Sequence, residues 1–391
     1  MNQYRKHFPF FETNPNYIYF DNSYTTLKPR TVIEALYDKL INLDLDNTYD
    51  LDKEQCRIKM AKLINAKTSK EIIFTSSTTL ALNQVAYGLQ HLIDQDDEIL
   101  TTKVEHVANL LPWIKVSKEK KAKIIEISVD SNGLIDIEDL KSKINSKTKV
   151  LTFASMTNTL GGMNNIKAIT QAARSIKKDI IIVIDAAQSI AHYKHDVQAE
   201  GADFLVNSMH KIYGPYHLGI IWGRYEMLEK LKPCLMGAYV NVGVTKDFDY
   251  SSSLELPYKL EPLPLKNSTI KAFNAALDFI LDIKMETIEN HNKELKKYAL
   301  ELIDKYNLKE KYDFYNLDTP SGILIFNHKQ IKAEKLFEIL KNKYQIIGRA
   351  GINFAYRLNE VINTNIWYRF TFGIYNTKEE IDKTMEILSI V

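Results

Sequence analysis

From about Tyr17 to Gly223, short β-branched runs alternate with segments of helical period. Strand candidates fall at 71–75, 98–102, 122–129, 149–154, 180–185, 203–207 and 218–223. Several are apolar at consecutive positions, as strands covered on both faces are. Between them the period changes: over 78–92, Leu82, Val85, Ala86 and Leu89 recur at i, i+3, i+4 and i+7. This alternation predicts an α/β architecture, a large, mostly parallel seven-stranded sheet wrapped by helices. Residues 237–266 are rich in Ser and Pro, keep no period and read as a long loop region. Beyond them, 268–283 is a helix with an apolar stripe (Ile270, Phe273, Leu277, Ile280, Leu281), followed by a more polar helix over 287–306. Strands near 322–327 and 367–372 and helices at 333–342 and 378–388 lack strict alternation, which predicts a smaller α+β domain. The expected division sets a large domain, 17–265, against a small one formed by 1–16 and 266–391.

A chain of 391 residues suits two cores better than one. Lys plus Arg number 51 against 49 Asp plus Glu, a net charge of +2, and no basic stripe is interleaved with aromatics. Nucleic-acid binding therefore has little electrostatic support. The basic run 115–123 is broken by Glu119 and reads as a solvated helix end. No stretch reaches the ~18–20 apolar residues of a membrane span, and the N-terminal segment has no signal-peptide core. The two cysteines, Cys56 and Cys234, lie far apart with no CxxC pair, which argues against a disulfide framework and a zinc knuckle. The expectation is a soluble, cytoplasmic protein without membrane or nucleic-acid partners.

The informative stretch is IIIVIDAAQSIAHYKHDVQAEGADFLVNSMHKIYGP, residues 180–215. Its first strand ends in Asp185, and in open α/β sheets the carboxyl ends of strands face the ligand crevice. A carboxylate emerging from so apolar a strand is desolvated unless a cation meets it, and a protonated pyridine nitrogen is such a cation. Ser208, Met209, His210 and Lys211 close the next apolar strand and enter a turn at Tyr213-Gly214-Pro215. A lysine so placed can form a Schiff base with an aldehyde. Taken singly, a strand-terminal Asp such as Asp185 is more often a helix N-cap, and a lysine such as Lys211 more often a surface lysine. The Ser/Thr cluster at 76–79 opens a helix, offering unpaired N–H groups, hydroxyls and the positive dipole end, which suit a phosphate or plain capping. His192 and His195 have H-x-x-H spacing, but no Cys or carboxylate constellation accompanies them. They read as surface or loop residues, and no metal site is expected.

The order strand–Asp–x–x–Gln, then strand–Ser–x–His–Lys–x–Tyr–Gly–Pro, resembles the pyridoxal-phosphate site of class V aminotransferases, in their cysteine desulfurase and selenocysteine lyase branch. The resemblance runs from about Tyr17 to Val391 and implies a fold-type I enzyme with pyridoxal 5'-phosphate as cofactor. It further implies a small amino-acid substrate, a homodimer and a sulfur-acceptor protein as a further partner. YFDNSYTTLKP (19–29) looks like the family's opening strand and substrate-side loop. FTSSTTLALN (74–83) is similar to its phosphate-binding turn, which implies Thr78 and Thr79 as phosphate ligands with Ser208 and His210. EHVANLLPW (105–113) resembles the segment whose His stacks on the cofactor ring, here His106, a candidate acid near the leaving atom. Asn158, in SMTNTLGG, matches an Asn near the ring oxygen, where Gln188 also bonds; Asp185 takes the ring nitrogen. Lys211 is implied as the Schiff-base lysine and Cα proton shuttle. WYRFTFGIYNT (367–377) resembles the strand whose Arg clamps the substrate carboxylate, here Arg369, a role its planar fork suits.

Three departures bear on activity. The family's sulfur-attacking cysteine lies in R-x-G-x-x-C; the matching stretch, Arg349-Ala350-Gly351-Ile352-Asn353-Phe354, ends in phenylalanine. No R-G-x-H-type loop is recognisable in DLDNTYDLD (44–52). The E-x-G-T segment, which reaches the phosphate across the dimer interface, is Glu261-Pro262-Leu263-Pro264 here, without its hydroxyl. Cys234, in KPCLMGAYV, matches a loop that approaches the active site; it reads as a substitute thiol or as a buried small hydrophobe, and Cys56 as an ordinary helix residue. The resemblance thus supports a cysteine desulfurase-like lyase acting on a C–S or C–Se bond. An aminotransferase or another pyridoxal reaction, and a non-catalytic cofactor-binding partner in sulfur transfer, stand as alternatives.

Overall fold

In a computed structural model of the chain, residues 2–42, 48–237, 243–247, 249–251, 255–262 and 264–391 are described. The seven strand candidates form one sheet: β1 (Ile72–Thr75), β2 (Glu98–Thr102), β3 (Lys123–Ile127), β4 (Thr148–Ala154), β5 (Ile181–Asp185), β6 (Phe204–Ser208) and β7 (Gly219–Gly223). Their order is β1-β7-β6-β5-β4-β2-β3. All neighbours are parallel except β7, which runs antiparallel to both β1 and β6. Every residue of β5, β6 and β7 is buried, which is why these strands are apolar except at the carboxyl ends of β5 (Asp185) and β6 (Asn207 and Ser208). Each fully buried Ile, Val or Phe contributes about 1.5–3 kcal/mol, upper values because a real unfolded chain is not fully exposed.

Around the sheet lie α1 (Arg30–Asn42), α2 (Tyr49–Ile64), α3 (Thr78–Leu89), α4 (Val107–Lys120) and α5 (Ile166–Ile176). The apolar face of α3 buries Ala81, Leu82, Val85, Ala86 and Leu89 in a core with Val183, Phe204 and Val206 of the sheet. Helix α6 (Asn267–Ile283) buries Ile270, Phe273, Ala276, Leu277 and Ile280 in the core on the sheet's other face, where Phe8 and Phe11 of the N-terminal segment also lie.

The second sheet is antiparallel, with β8 (Tyr312–Phe314), β9 (Ile323–His328), β10 (Arg349–Gly351) and β11 (Trp367–Thr371) in the order β8-β9-β11-β10. It packs with α7 (Met285–Lys305), α8 (Ala333–Tyr344) and α9 (Lys378–Ile390) around a separate core. A capping box at Thr377 and Glu380 starts α9. The beginning of the chain enters this core too: Ile18–Tyr19 pairs in parallel with Ile346–Ile347, and Ile18 and Phe20 are buried in it.

His192 and His195, expected at the surface, are instead buried. His195 is held between the Ser189 hydroxyl at Nε2 and Glu200 at Nδ1, both at 2.8 Å, so polar partners make its burial tolerable. Among the described residues no group of three or more His, Cys, Asp or Glu side chains is placed to hold a metal. None of the described helices is long and apolar enough to cross a membrane. Of the expected loop features, residues 44–47 and Leu263 lie outside the described residues, as does part of 237–266.

Candidate active site

The carboxyl ends of β1, β5 and β6 open onto one edge of the sheet, because Thr75 and Ser208 both sit opposite Gly219 while Asp185 pairs with Val206. A cavity of about 240 Å³ lies there, and all ten residues singled out from the sequence line it: Thr78, Thr79, His106, Asn158, Asp185, Gln188, Ser208, His210, Lys211 and Arg369. They come from both sheets, Arg369 being the middle residue of β11.

At one end the chain leaves β1 and turns into α3. Ser77 caps that helix, its Oγ accepting the Leu80 N–H at 3.1 Å. Thr78 Oγ1, by contrast, is buried with no hydrogen-bond partner, and so is His210 Nδ1. Unsatisfied buried polar atoms are costly and point to a missing acceptor or donor. The turn sits unusually close to the sheet: a Cβ on Gly219 would lie 2.7 Å from the Ser77 carbonyl oxygen. Glycine is needed there for this approach, a requirement composition alone did not reveal.

In the middle, the Asp185 carboxylate accepts the Ala187 N–H at 2.9 Å and is otherwise enclosed. Burial raises its pKa, against the pull of that hydrogen bond and of Lys211. Burial likewise pushes the Lys211 amine down to about 8, Asp185 opposing it. His106 is the N-cap of α4, its Nδ1 accepting the Ala108 N–H at 3.1 Å. Burial, with Lys211 and Arg369 adding repulsion, pushes His106 down to about 4. At neutral pH its ring is uncharged, with the proton on Nε2, a hydrogen-bond donor rather than a cationic acid. Behind it Glu105 is fully buried, accepting from Thr102 at 2.7 Å, Asn109 at 2.7 Å and the Ala154 N–H at 3.2 Å.

At the far end, Arg369 Nη1 donates to the Asn158 carbonyl at 2.6 Å and Nη2 stands 3.5 Å from Asp21, while Nε has no partner. Burial lowers the Arg369 pKa to about 10. Asp21 is also gripped by Arg349 through Nε at 2.9 Å and Nη2 at 2.6 Å. Two guanidinium groups thus share one buried carboxylate, leaving a net positive end to the cavity. The amides of Asn158 and Gln188 donate to the backbone carbonyls of Asn353 (2.6 Å) and Ser23 (2.9 Å), fastening the two loops that close the cavity. Ser23, Tyr24, Arg349 and Asn353 also line it. The sequence places them in matched segments without individual roles, because Gln188, Asp21 and Asn158, which hold Ser23, Arg349 and Asn353, lie far away along the chain.

Neither cysteine reaches this cavity. Cys56 is buried, donating to the Ile270 carbonyl at 3.5 Å, and burial pushes its thiol up to about 12. Cys234 is exposed rather than buried, on a stretch of irregular backbone that follows the helix Tyr225–Lys230. It lines a different cavity with Leu80, Asn83 and Lys232. Phe354, which the sequence matches to the family's thiol position by resemblance alone, does line the site.

The family profile described as Aminotransferase class-V matches residues 18–384. The chain is 33% identical over 397 residues to a "Probable cysteine desulfurase" of Ureaplasma parvum serovar 3, covering 99% of this chain and 97% of the other. It is 34% identical over 393 residues to another so described from Halalkalibacterium halodurans, covering 97% and 94%. Among solved structures, the apo cysteine desulfurase of Thermococcus onnurineus NA1 superposes with a TM-score of 0.90 at 28% identity, covering 99% of this chain and 96% of that one. The cysteine desulfurase CsdA of Escherichia coli gives 0.91 at 27% identity, with the same coverage.

Proposed function

Since this chain belongs to the class-V aminotransferase family, we propose that it is a pyridoxal-phosphate-dependent, cysteine desulfurase-like enzyme cleaving a C–S or C–Se bond of a small L-amino acid. The observation that carries this reading is the convergence of Lys211, Asp185 and Arg369 with the donors around Thr78 in one cavity. The donor set suits pyridoxal phosphate. Thr78 Oγ1 and His210 Nδ1 are buried without partners beside the N-terminus of α3, where an anion is favoured. Thr78, Thr79, Ser208 and His210 would hold the phosphate, Asp185 the pyridine nitrogen, Asn158 and Gln188 the ring oxygen, and His106 the ring face. Lys211 would hold the aldehyde carbon. Bound there, the cofactor supplies an electron sink for bonds at Cα.

The chain's own residues then divide the work. Arg369, with Nε free, grips the substrate carboxylate. Lys211, its amine lowered to about 8, is uncharged in about a tenth of molecules at pH 7, far more than an ordinary lysine, and takes the Cα proton at Nζ. His106 donates from Nε2 toward the leaving atom. Phe354 can neither attack sulfur nor carry it, and this favours a second reading: an aminotransferase or other reaction on an amino acid, or a non-catalytic cofactor-binding partner in sulfur transfer.

Several partner and placement features belong to the same proposal: a homodimer, a sulfur-acceptor protein and a cytoplasmic location. For the domain division, expected as 17–265 against 1–16 with 266–391, the packing of Phe8, Phe11 and α6 on the large sheet favours moving both segments to the large unit, with a boundary near Lys284.

The deciding measurement is alanine formation from L-cysteine by cofactor-loaded protein with a reductant, beside Lys211→Ala. Alanine lost in that variant supports the desulfurase reading. No alanine, together with no amino-acid-dependent change in cofactor absorbance, would leave only the non-catalytic one.

A further inference from the structure

Phe354 is the most unusual residue of the cavity. Its φ is +60°, a left-handed conformation that bulky residues rarely adopt, and the side chain is 57% exposed. The segment that bears it is fixed from three sides. Arg349 is clamped by Asp21, the Asn353 carbonyl accepts from Asn158 at 2.6 Å, and the Phe354 carbonyl accepts the Val107 N–H at 3.1 Å. The ring stands 5.5 Å from that of His106, tilted by 52°. Tyr24, 53% exposed under the Arg349 guanidinium, is a second accessible ring lining the cavity. Among the described residues no thiol lines the cavity.

Resting on the lyase reading above, we infer that Phe354 sets the substrate class: L-amino acids whose Cβ sulfur carries an aromatic substituent. Two independent requirements meet in such a molecule. With no described thiol there to accept the sulfur, the group must leave with the electron pair of the Cβ–S bond, and aryl thiolates leave more readily than alkyl ones. The aryl ring also finds a preorganised aromatic face to stack on. The Cα proton passes to Lys211 Nζ, the Cβ–S bond breaks with both electrons on sulfur, and the thiolate takes up a proton. With one water consumed, the products are an aryl thiol, pyruvate and ammonium, with no change in overall oxidation state.

The test uses cofactor-loaded protein as wild type, Phe354→Ala and Phe354→Tyr. Calorimetry gives dissociation constants for L-alanine and for L-homophenylalanine, the carbon analogue of S-phenyl-L-cysteine that has no leaving group. Wild type and Phe354→Tyr should prefer the aryl ligand by about 10-fold or more, equivalent to about 1.4 kcal/mol. In Phe354→Ala the ratio should fall to about 2-fold. S-phenyl-L-cysteine should yield thiophenol and pyruvate in equal amounts. A ratio unchanged in Phe354→Ala, or a Phe354→Tyr variant behaving like it, overturns the inference while leaving the lyase reading in place. If no amino acid alters the cofactor's absorbance in wild type, the lyase reading fails and takes this inference with it.

Discussion

Replacing Glu261 with glutamine should destabilise the protein more than any surface change could. The Glu261 carboxylate is 4% exposed and receives Lys53 Nζ at 2.7 Å, Arg57 Nη2 at 2.6 Å and the Phe74 N–H at 2.6 Å. Arg57, 1% exposed, also donates to the Ile72 carbonyl and lies 4.4 Å over the Phe74 ring. Neutralising the carboxylate takes from the buried guanidinium its close anionic partner and leaves only the partly exposed Glu54, 3.7 Å from Nε; breaking a buried pair in this way costs about 3–5 kcal/mol. Glutamine can still accept from Phe74, retaining about 1 kcal/mol, and Lys53 stands near enough to solvent to regain some hydration. A net loss of about 3 kcal/mol follows, read as a lower urea midpoint. Because Phe74 belongs to β1, which launches the Ser77–Thr79 turn, cofactor affinity should fall as well. The double variant with Arg57→Met should recover part of the stability, since it removes the guanidinium charge. A loss below about 1 kcal/mol, or a double variant no better than the sum of the singles, would refute the reasoning.

Three further outcomes are expected. Gly219→Ala should weaken cofactor binding by about tenfold or more, because its Cβ meets the Ser77 carbonyl and displaces the turn; fluorescence titration of cofactor-free protein checks this. Cofactor uptake should accelerate as pH rises through about 8, since the lowered Lys211 pKa makes the free amine dominant above that value; a midpoint in the ordinary lysine range would contradict the site's burial. His106→Ala should lower turnover by about 10²-fold, and wild-type turnover should show no His106 limb between pH 6 and 7, because the ring is already neutral there.

What the sequence disclosed and what it hid have physical reasons. The strands were legible because burial on both faces leaves continuous apolar runs. Asp185 and Lys211 stood out because charge at the end of such a run needs an explanation. Strand direction leaves no trace in composition, so the antiparallel β7 was not read. Its connection from β6 is shorter than the dozen or more residues a parallel crossover needs, and that was the available signal. The strands Tyr312–Phe314 and Arg349–Gly351 are three residues each, too short for a period. The burial of His195 depends on Ser189 and Glu200, and a polar stretch with satisfied side chains looks like surface in sequence. Asp21 meets Arg349 and Arg369 only in three dimensions.

The pairing of Ile18–Tyr19 with Ile346–Ile347 also sets a timetable on the ribosome. The first strand must wait for a partner made more than 300 residues later, about 15–65 s at 5–20 residues per second. Asp21, which anchors Arg349 and Arg369, waits with it. The large sheet, with every residue assigned to the cofactor, can be complete while the cavity still lacks a wall, so a nascent chain gains the arginine for the substrate carboxylate only as the last strand, Trp367–Thr371, emerges.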